Sequence, residues 1–437
     1  MRVLSWGNPT STTGGRRHEL DWLRALIVLG LVPIHSATLF SAASDIQVKN
    51  AQTSRILDLT IGLMSAWAMP TLFLVSGAGA WFAVSARSPN RYLNDRFTRL
   101  FLPFVFATVV LIPIEVYAVA KADPGLLSTV NVPLPKSHML DSYVSFYPVY
   151  LISYGYFLAH YSTGLVPIFW AHLWFLPRLL VVSLIALPLL LLLRGIHGRA
   201  IVSRVRWLYD RPHGILLFAI PVAMIRVLFG SGWLNNLTAS WPIYDQWDQF
   251  LLFFLFFLLG CLIYADPHLL RQVRSSGNVA LLGGIALWVV AQRIPPPSYH
   301  APFAAEPAEW LFLPLRSVIP WLLGVGVLSV AVRFFQRTNR LGAYINDAAF
   351  PIYVLHLPII LVIGAMVVDW QTSLFIKFAV VVLGSFLALT VLYEGLIKRT
   401  PMIRVLFGMK PHPAPARAQS CATYQMTADV REPADMR

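Results

Sequence analysis

The chain has 437 residues, of which 57% are hydrophobic and only 12% charged, and its mean hydropathy is +0.64. Those values exclude an ordinary soluble globular protein and point to a polytopic membrane protein. A formal charge of +14 at pH 7 would suit a nucleic-acid binder, but the basic residues cluster between apolar runs in the manner of membrane topology.

Spans need about 20 apolar residues each. In chain order they are predicted at roughly 20–41, 56–86, 97–119, 168–193, 213–230, 247–265, 279–292, 309–332, 343–367 and 373–397. The expected fold is an all-α polytopic bundle of about ten transmembrane helices. Residues 1–17 are expected to form a polar cytoplasmic segment without a cleavable signal, 18–410 the transmembrane domain, and 411–437, rich in Pro and Ala, a disordered cytoplasmic tail. The stretch 143–165 is aromatic and interrupted by Pro148, Gly155 and Gly164, so it reads as an interfacial or re-entrant piece. No internal repeat is visible. Two cysteines, Cys261 and Cys421, give neither a disulfide framework nor a thiolate metal site.

With ten spans, segments 1–19, 87–99, 194–211, 266–278, 333–342 and 398–437 share one side and carry 24 Lys and Arg, against five on the other. The positive-inside bias then places both termini in the cytoplasm.

The first span contains "LDWLRALIVLGLVPIH", with Asp21, Arg24 and His35. At 100° per residue these three share one stripe, His35 lying roughly 16 Å along the axis from Arg24. An ionisable residue within a span costs roughly 2.5–3.5 kcal/mol on insertion scales, so it persists where a bundle interior or wet cavity uses it. A structural alternative stands beside this: Asp21 and Arg24 pair at i, i+3, and His35 is a satisfied interior histidine. Arg96 and Arg99 enter the third span close in depth to Arg24 and to Glu394. Juxtamembrane arginines also serve as anchors for anionic head groups. Small residues at Ser76, Gly77 and Gly79 in "LFLVSGAG" permit close backbone approach.

In the outer half, His172 opens the fourth span with Trp174 beside it, and His356 sits at the depth of His35, with Tyr353 one turn below. Arg178, Arg226 and Arg316 project to similar depths, whereas the carboxylates of that region, Asp58, Glu115, Asp248 and Glu309, lie at or near helix ends. Pairing with Glu309, seven residues away, is the cheapest structural explanation of Arg316. No phosphate-binding loop, dinucleotide fingerprint, HExxH or GxSxG motif occurs in a usable context.

Six stretches carry a resemblance: "ELDWLRALIVLGLVPIH", "MPTLFLVSGAGAWF", "RYLNDRFTRLFLPFVF", "AHLWFLPRLLVV", "FPIYVLHLP" and "LYEGLIKRTPMIRVLFGMKP". In this order they resemble the acyltransferase-3 family of integral-membrane acyltransferases, and within it the branch associated with succinylation of periplasmic glucans. The resemblance covers roughly residues 18–411. Its signature, an arginine followed by ten residues and a histidine, falls on Arg24 and His35, and its arginine-rich motif on Arg96 and Arg99. After the serine–glycine pair this chain has Ala78 where many relatives show an aromatic.

The resemblance implies transfer of an acyl group, succinyl by preference, from a cytoplasmic acyl-coenzyme A to hydroxyls of an extracytoplasmic glycan. No permanently bound cofactor and no metal are implied. The partners are the lipid bilayer, the donor and the acceptor, without nucleic acid; the lack of an appended soluble module leaves room for an accessory envelope protein. The residue chemistry agrees. Histidine near neutral pKa can take the proton of a sugar hydroxyl, and arginine forks bind phosphates bidentately. His35 is the candidate base, and Arg24, Arg96 and Arg99 are the donor-binding candidates. His356 reads either as a second catalytic group or as a structural histidine. His172, Trp174, Arg178 and Arg316 are the substrate-binding candidates; a carboxylate on the acyl group is expected on one of Arg178, Arg226 and Arg316, with Arg316 first for its depth and Arg178 second. The competing reading is a secondary transporter of a small anionic solute.

Overall fold

The structure is a computed structural model that describes residues 17–43, 48–122, 140–160, 171–230, 247–294 and 307–409. All regular structure among the described residues is helical. The helices are α1 (His18–Thr38), α2 (Arg55–Ala86), α3 (Pro89–Arg96), α4 (Leu102–Val110), α5 (Ile112–Ala122), α6 (Tyr143–His160), α7 (Phe175–Arg194), α8 (Ile196–Tyr209), α9 (Ala219–Gly230), α10 (Trp247–Ala265), α11 (Pro267–Ala291), α12 (Pro307–Phe334), α13 (Arg340–Val367), α14 (Leu374–Leu392) and α15 (Pro401–Leu406).

Nine described helical stretches are long and apolar enough to cross a membrane, with α3 to α5 forming one continuous stretch. The expected span at 213–230 falls short of this. His213 adopts a left-handed conformation (φ 59°), Gly214–Phe218 is a 3₁₀ turn, and α9 has 12 described residues. The span expected at 279–292 begins earlier than apolarity alone indicates. Pro267 occupies the first turn and the Asp266 carboxylate accepts the His268 backbone N–H at 2.9 Å, so the helix starts within the basic segment. Residues 143–160 form helix α6, shorter in its described apolar part than a span. It lies on the preceding helices, Tyr147 and Tyr150 donating to the Val109 and Thr108 carbonyls at 3.2 and 3.0 Å.

Two register changes follow from proline and helix ends. Pro103 cannot donate to the Arg99 carbonyl, and Phe97–Phe101 takes a π register in which the Leu102 N–H reaches the Phe97 carbonyl. A second π turn, Tyr393–Ile397, ends α14, with the Lys398 N–H on the Tyr393 carbonyl at 2.8 Å. Outward-facing residues such as Leu383, Leu387 and Val391 on α14 are more than half exposed, as a lipid-facing stripe requires.

The most extensive pairings join α11 to α12, α2 to α10 and α1 to α13. At the α2–α10 crossing, a Cβ on Gly77 would lie 1.9 Å from the Phe257 carbonyl oxygen, and one on Gly260 would lie 1.9 Å from that of Leu74. The two backbones touch, and Cys261 Sγ donates to the Gly77 carbonyl at 3.1 Å. Gly79 has open space around its Cβ position. Small residues at 77 and 260 are thus accounted for by helix contact.

Described parts of the basic segments are tied to the bundle and to one another by local contacts. Arg17 lies 5.6 Å over the Phe82 ring, Arg194 donates to the Val84 carbonyl at 3.0 Å, and Trp22 donates to the Arg337 carbonyl at 3.2 Å. Arg333 reaches Asn278 at 2.8 Å, Tyr209 donates to Asp266 at 3.0 Å, and Arg404 pairs with Asp347 at 3.8 Å. Burial and the Asp266 carboxylate push the Tyr209 phenol well above its ordinary pKa.

Candidate functional site

Helices α1 and α13 run parallel, and their polar residues meet at two levels. At the basic end Arg24 donates to Asn346 Oδ1 at 2.7 Å and pairs with Asp21 at 3.3 Å, its side chain remaining 47% exposed. Eleven residues further along α1 and ten along α13, the rings of His35 and His356 lie 5.1 Å apart. The rise of 1.5 Å per residue separates the two levels by about 15–16 Å. Nothing local in the sequence marks Asn346; it precedes His356 by ten positions, one fewer than separate Arg24 from His35.

Around Arg24 the basic end is charged and partly open. Arg96 rests 4.9 Å over the Tyr92 ring and is half-buried, while Arg99, on the π turn, is exposed. Asp347, next to Asn346, receives the Tyr393 hydroxyl at 2.8 Å and the Arg404 guanidinium at 3.8 Å. Glu394 is engaged by Lys398 at 2.8 and 3.1 Å.

At the other level three histidines gather. The 3₁₀ turn Ala171–Trp174 carries His172 into the bundle, its ring 4.9 Å from that of His356 and edge-on to it. His356 Nδ1 lies 2.7 Å from the Tyr353 carbonyl. A carbonyl only accepts, so Nδ1 bears the proton, and a neutral ring presents its lone pair at Nε2. His356 Nε2 and His35 Nδ1 are buried and meet no hydrogen-bond partner among the described residues. His356 and His172 are buried, whereas His35 is partly exposed. Of the three, His35 alone keeps some exposed surface, although its Nδ1 is itself buried.

His172 meets a partner at each nitrogen: Nε2 lies 3.1 Å from the Val354 carbonyl within hydrogen-bond geometry, and Nδ1 lies 2.8 Å from Glu115 Oε1, an ion-pair contact without hydrogen-bond alignment. A direct contact with substrate, as expected from its place at the outer mouth, would require it to give up one of these. Glu115 stands out in sequence only as an acid in an apolar helix, and nothing local connects it to a residue 57 positions later.

Beside the histidines, Arg178 of α7 lies 4.7 Å over the Trp174 ring and 3.5 Å from Gln249. Trp174 stacks on Phe253 with centroids 5.6 Å apart, and Phe253 stacks on Phe73 at 4.6 Å. The guanidinium sits over the indole face next to the His172 turn, a cation–π contact. Arg316 is exposed on α12, and both arginines are engaged by protein groups. The side chains of Glu309 and Arg226 lie outside the described residues, and so does the expected Glu309–Arg316 pair. No cluster of His, Cys, Asp or Glu among the described residues has the arrangement of a metal site.

A multi-helix membrane bundle with an arginine level and a histidine level belongs to the class of multi-pass membrane proteins with an intramembrane polar site. Residues 17–394 match the acyltransferase domain family, and the chain belongs to that family, acyltransferase-3; it is a membrane acyltransferase. It is similar to glucans biosynthesis protein C of Salmonella schwarzengrund strain CVM19633, 24% identical over 422 residues that cover 92% of this chain and 97% of the relative. The protein of the same name from Escherichia coli strain K12 is 24% identical over 416 residues, covering 91% and 95%. That of Escherichia coli O6:K15:H31 is 23% identical over 410 residues, with the same coverage. No solved structure matches the chain.

Proposed function

We propose that the protein moves an acyl group from an acyl-coenzyme A held at the basic, cytoplasmic end to a hydroxyl of an extracytoplasmic glycan. The observation that carries this reading is the pairing of an arginine level with a histidine level along the same two helices, α1 and α13. In the step proposed, the acceptor oxygen attacks the thioester carbonyl carbon while its proton moves to His35. The carbon–sulfur bond breaks, and the departing thiolate takes that proton back. Arg24, Arg96 and Arg99 hold the donor's phosphates, and a long thioester arm bridges the 15–16 Å rise to the histidines. The membrane in question is the cytoplasmic membrane, by the positive-inside bias of the basic end.

The test is transfer of labelled acyl groups from acyl-coenzyme A by the purified protein to glycan acceptor. Uptake of a small anion into vesicles without any acyl transfer would instead establish the transporter reading. Within this assay, Arg→Lys at positions 24, 96 and 99 is expected to raise the donor's apparent KM about tenfold, because an ammonium cannot reproduce the bidentate fork. Titration of acyl-coenzyme A against each variant measures this. Unchanged values in all three would return these arginines to anchoring the helices.

The relatives' name, glucans biosynthesis protein C, supports a glucan as the acceptor, and Arg178, over the Trp174 ring beside the His172 turn, supports a succinyl group as the one transferred, its free carboxylate received by Arg178. Arg316, exposed on α12, is the second candidate. Arg178→Gln is expected to reduce the preference for succinyl- over acetyl-coenzyme A at least tenfold, as read in a competition assay. Equal use of both donors by the native protein, or a preference that survives the substitution at 178 and at 316, would sink the assignment.

A further inference from the structure

Residue 358 is proline and has no N–H, so the Val354 carbonyl loses its helical donor four residues on. His172 Nε2 fills that place at 3.1 Å. Because a carbonyl only accepts, Nε2 carries a proton, and Nδ1 is left facing Glu115 Oε1 at 2.8 Å. One proton must sit in that contact, on the ring or on the carboxyl. In both cases the pair is neutral as a whole, which suits side chains that are only 1% and 4% exposed. The His172 turn is tied to α13 a second time, the Tyr353 hydroxyl donating to the His172 carbonyl at 2.9 Å. Tyr353 in turn accepts His356 Nδ1 at 2.7 Å, and His35 packs on the His356 ring.

We propose that Glu115 is a positioning residue of the acyl-transfer site: it sets the tautomer and orientation of His172, which secures the proline-opened turn of α13 and thereby the His356 ring against which His35 rests. His172, occupied on both nitrogens, is part of this brace and takes no proton from the acceptor. The proposal rests on the reading of His35 as the base. Glu115 makes no contact with the basic end in this arrangement, so its loss belongs in kcat and not in donor binding.

The experiment compares native protein with Glu115→Ala, Glu115→Gln, His172→Ala and the Glu115→Ala/His172→Ala double variant in the same membranes, with His35→Ala as reference. Glu115→Ala is expected to lower kcat at least tenfold with the donor KM within about twofold of native. Glu115→Gln, whose amide N–H can donate to Nδ1 while Nε2 still serves Val354, is expected to recover most of that loss. The double variant should be no slower than His172→Ala alone, since both act through one brace. A native kcat in Glu115→Ala, a loss confined to KM, a Gln variant as slow as Ala, or additive losses would each overturn the proposal. Where Glu115→Ala does not accumulate as folded protein, Gln against Asp decides. Gln faster than Asp supports the brace; Asp, charged but shorter, faster than Gln overturns it. A His35→Ala variant at native rate removes the base reading and this proposal together, whereas an inactive His35→Ala beside a native Glu115→Ala removes this proposal alone.

Discussion

Replacing His35 with alanine is expected to lower the rate of acyl transfer by about 10²–10⁴-fold, the usual loss when a general base is removed, while folded protein stays in the membrane. The geometry argues for a large effect at this position. His172 has both nitrogens occupied by Glu115 and Val354, and His356 is buried with Nδ1 on the Tyr353 carbonyl. His35 is partly exposed, and its Nδ1 meets no partner among the described residues. Its ring packs on that of His356, so truncation removes the base without breaking a hydrogen bond of the scaffold that the structure shows. Labelled-donor transfer at matched protein levels, with thermal unfolding in detergent as a check on folding, measures the outcome. A variant that keeps a tenth or more of the native rate would remove His35 from the proton transfer.

Alanine at Gly77 or Gly260 is expected to destabilise the bundle by about 3 kcal/mol each, the upper end of what overpacking costs. The added Cβ meets a carbonyl oxygen at 1.9 Å in both cases, belonging to Phe257 or to Leu74. These are backbone atoms of a paired helix, which cannot turn aside as a side chain would. Relief requires α2 and α10 to separate, and their crossing carries Phe73 and Phe253, the stacked pair beneath Trp174. Thermal unfolding in detergent measures the loss. Gly79→Ala is the control, since nothing lies within 4 Å of its Cβ position and alanine is the better helix former; a shift under about 0.5 kcal/mol is expected there. Gly77→Ala unfolding at the native temperature would show that the crossing is looser than the structure has it.

Two of the small residues in "LFLVSGAG" therefore differ in kind. Gly77 and Gly79 look alike in sequence, and both fit a motif of close helix approach. Only the partner helix distinguishes them, because the contact that matters comes from a backbone 180 residues further along the chain. The same limit applies to the span at 213–230. Its apolarity is ample, but the left-handed His213 and the 3₁₀ turn that follows shorten the regular helix, a local geometry that hydropathy does not register.

Features that depend on local sums and local periodicity are legible in the chain alone. Helical bundle architecture follows from apolar runs of span length, and the placement of Arg24 and His35 along one stripe of α1 follows from 100° per residue. Tertiary structure alone decided which residues share a level across helices: Asn346 against Arg24, His356 against His35, and Glu115 behind His172. Those contacts join residues 57 to 322 positions apart. They depend on helix rotation and offset, which are set by backbone contact at glycines and by carbonyls that prolines leave open. The Val354 carbonyl freed by Pro358 is written in the chain, but the histidine that fills it arrives from another helix, and only packing brings it there.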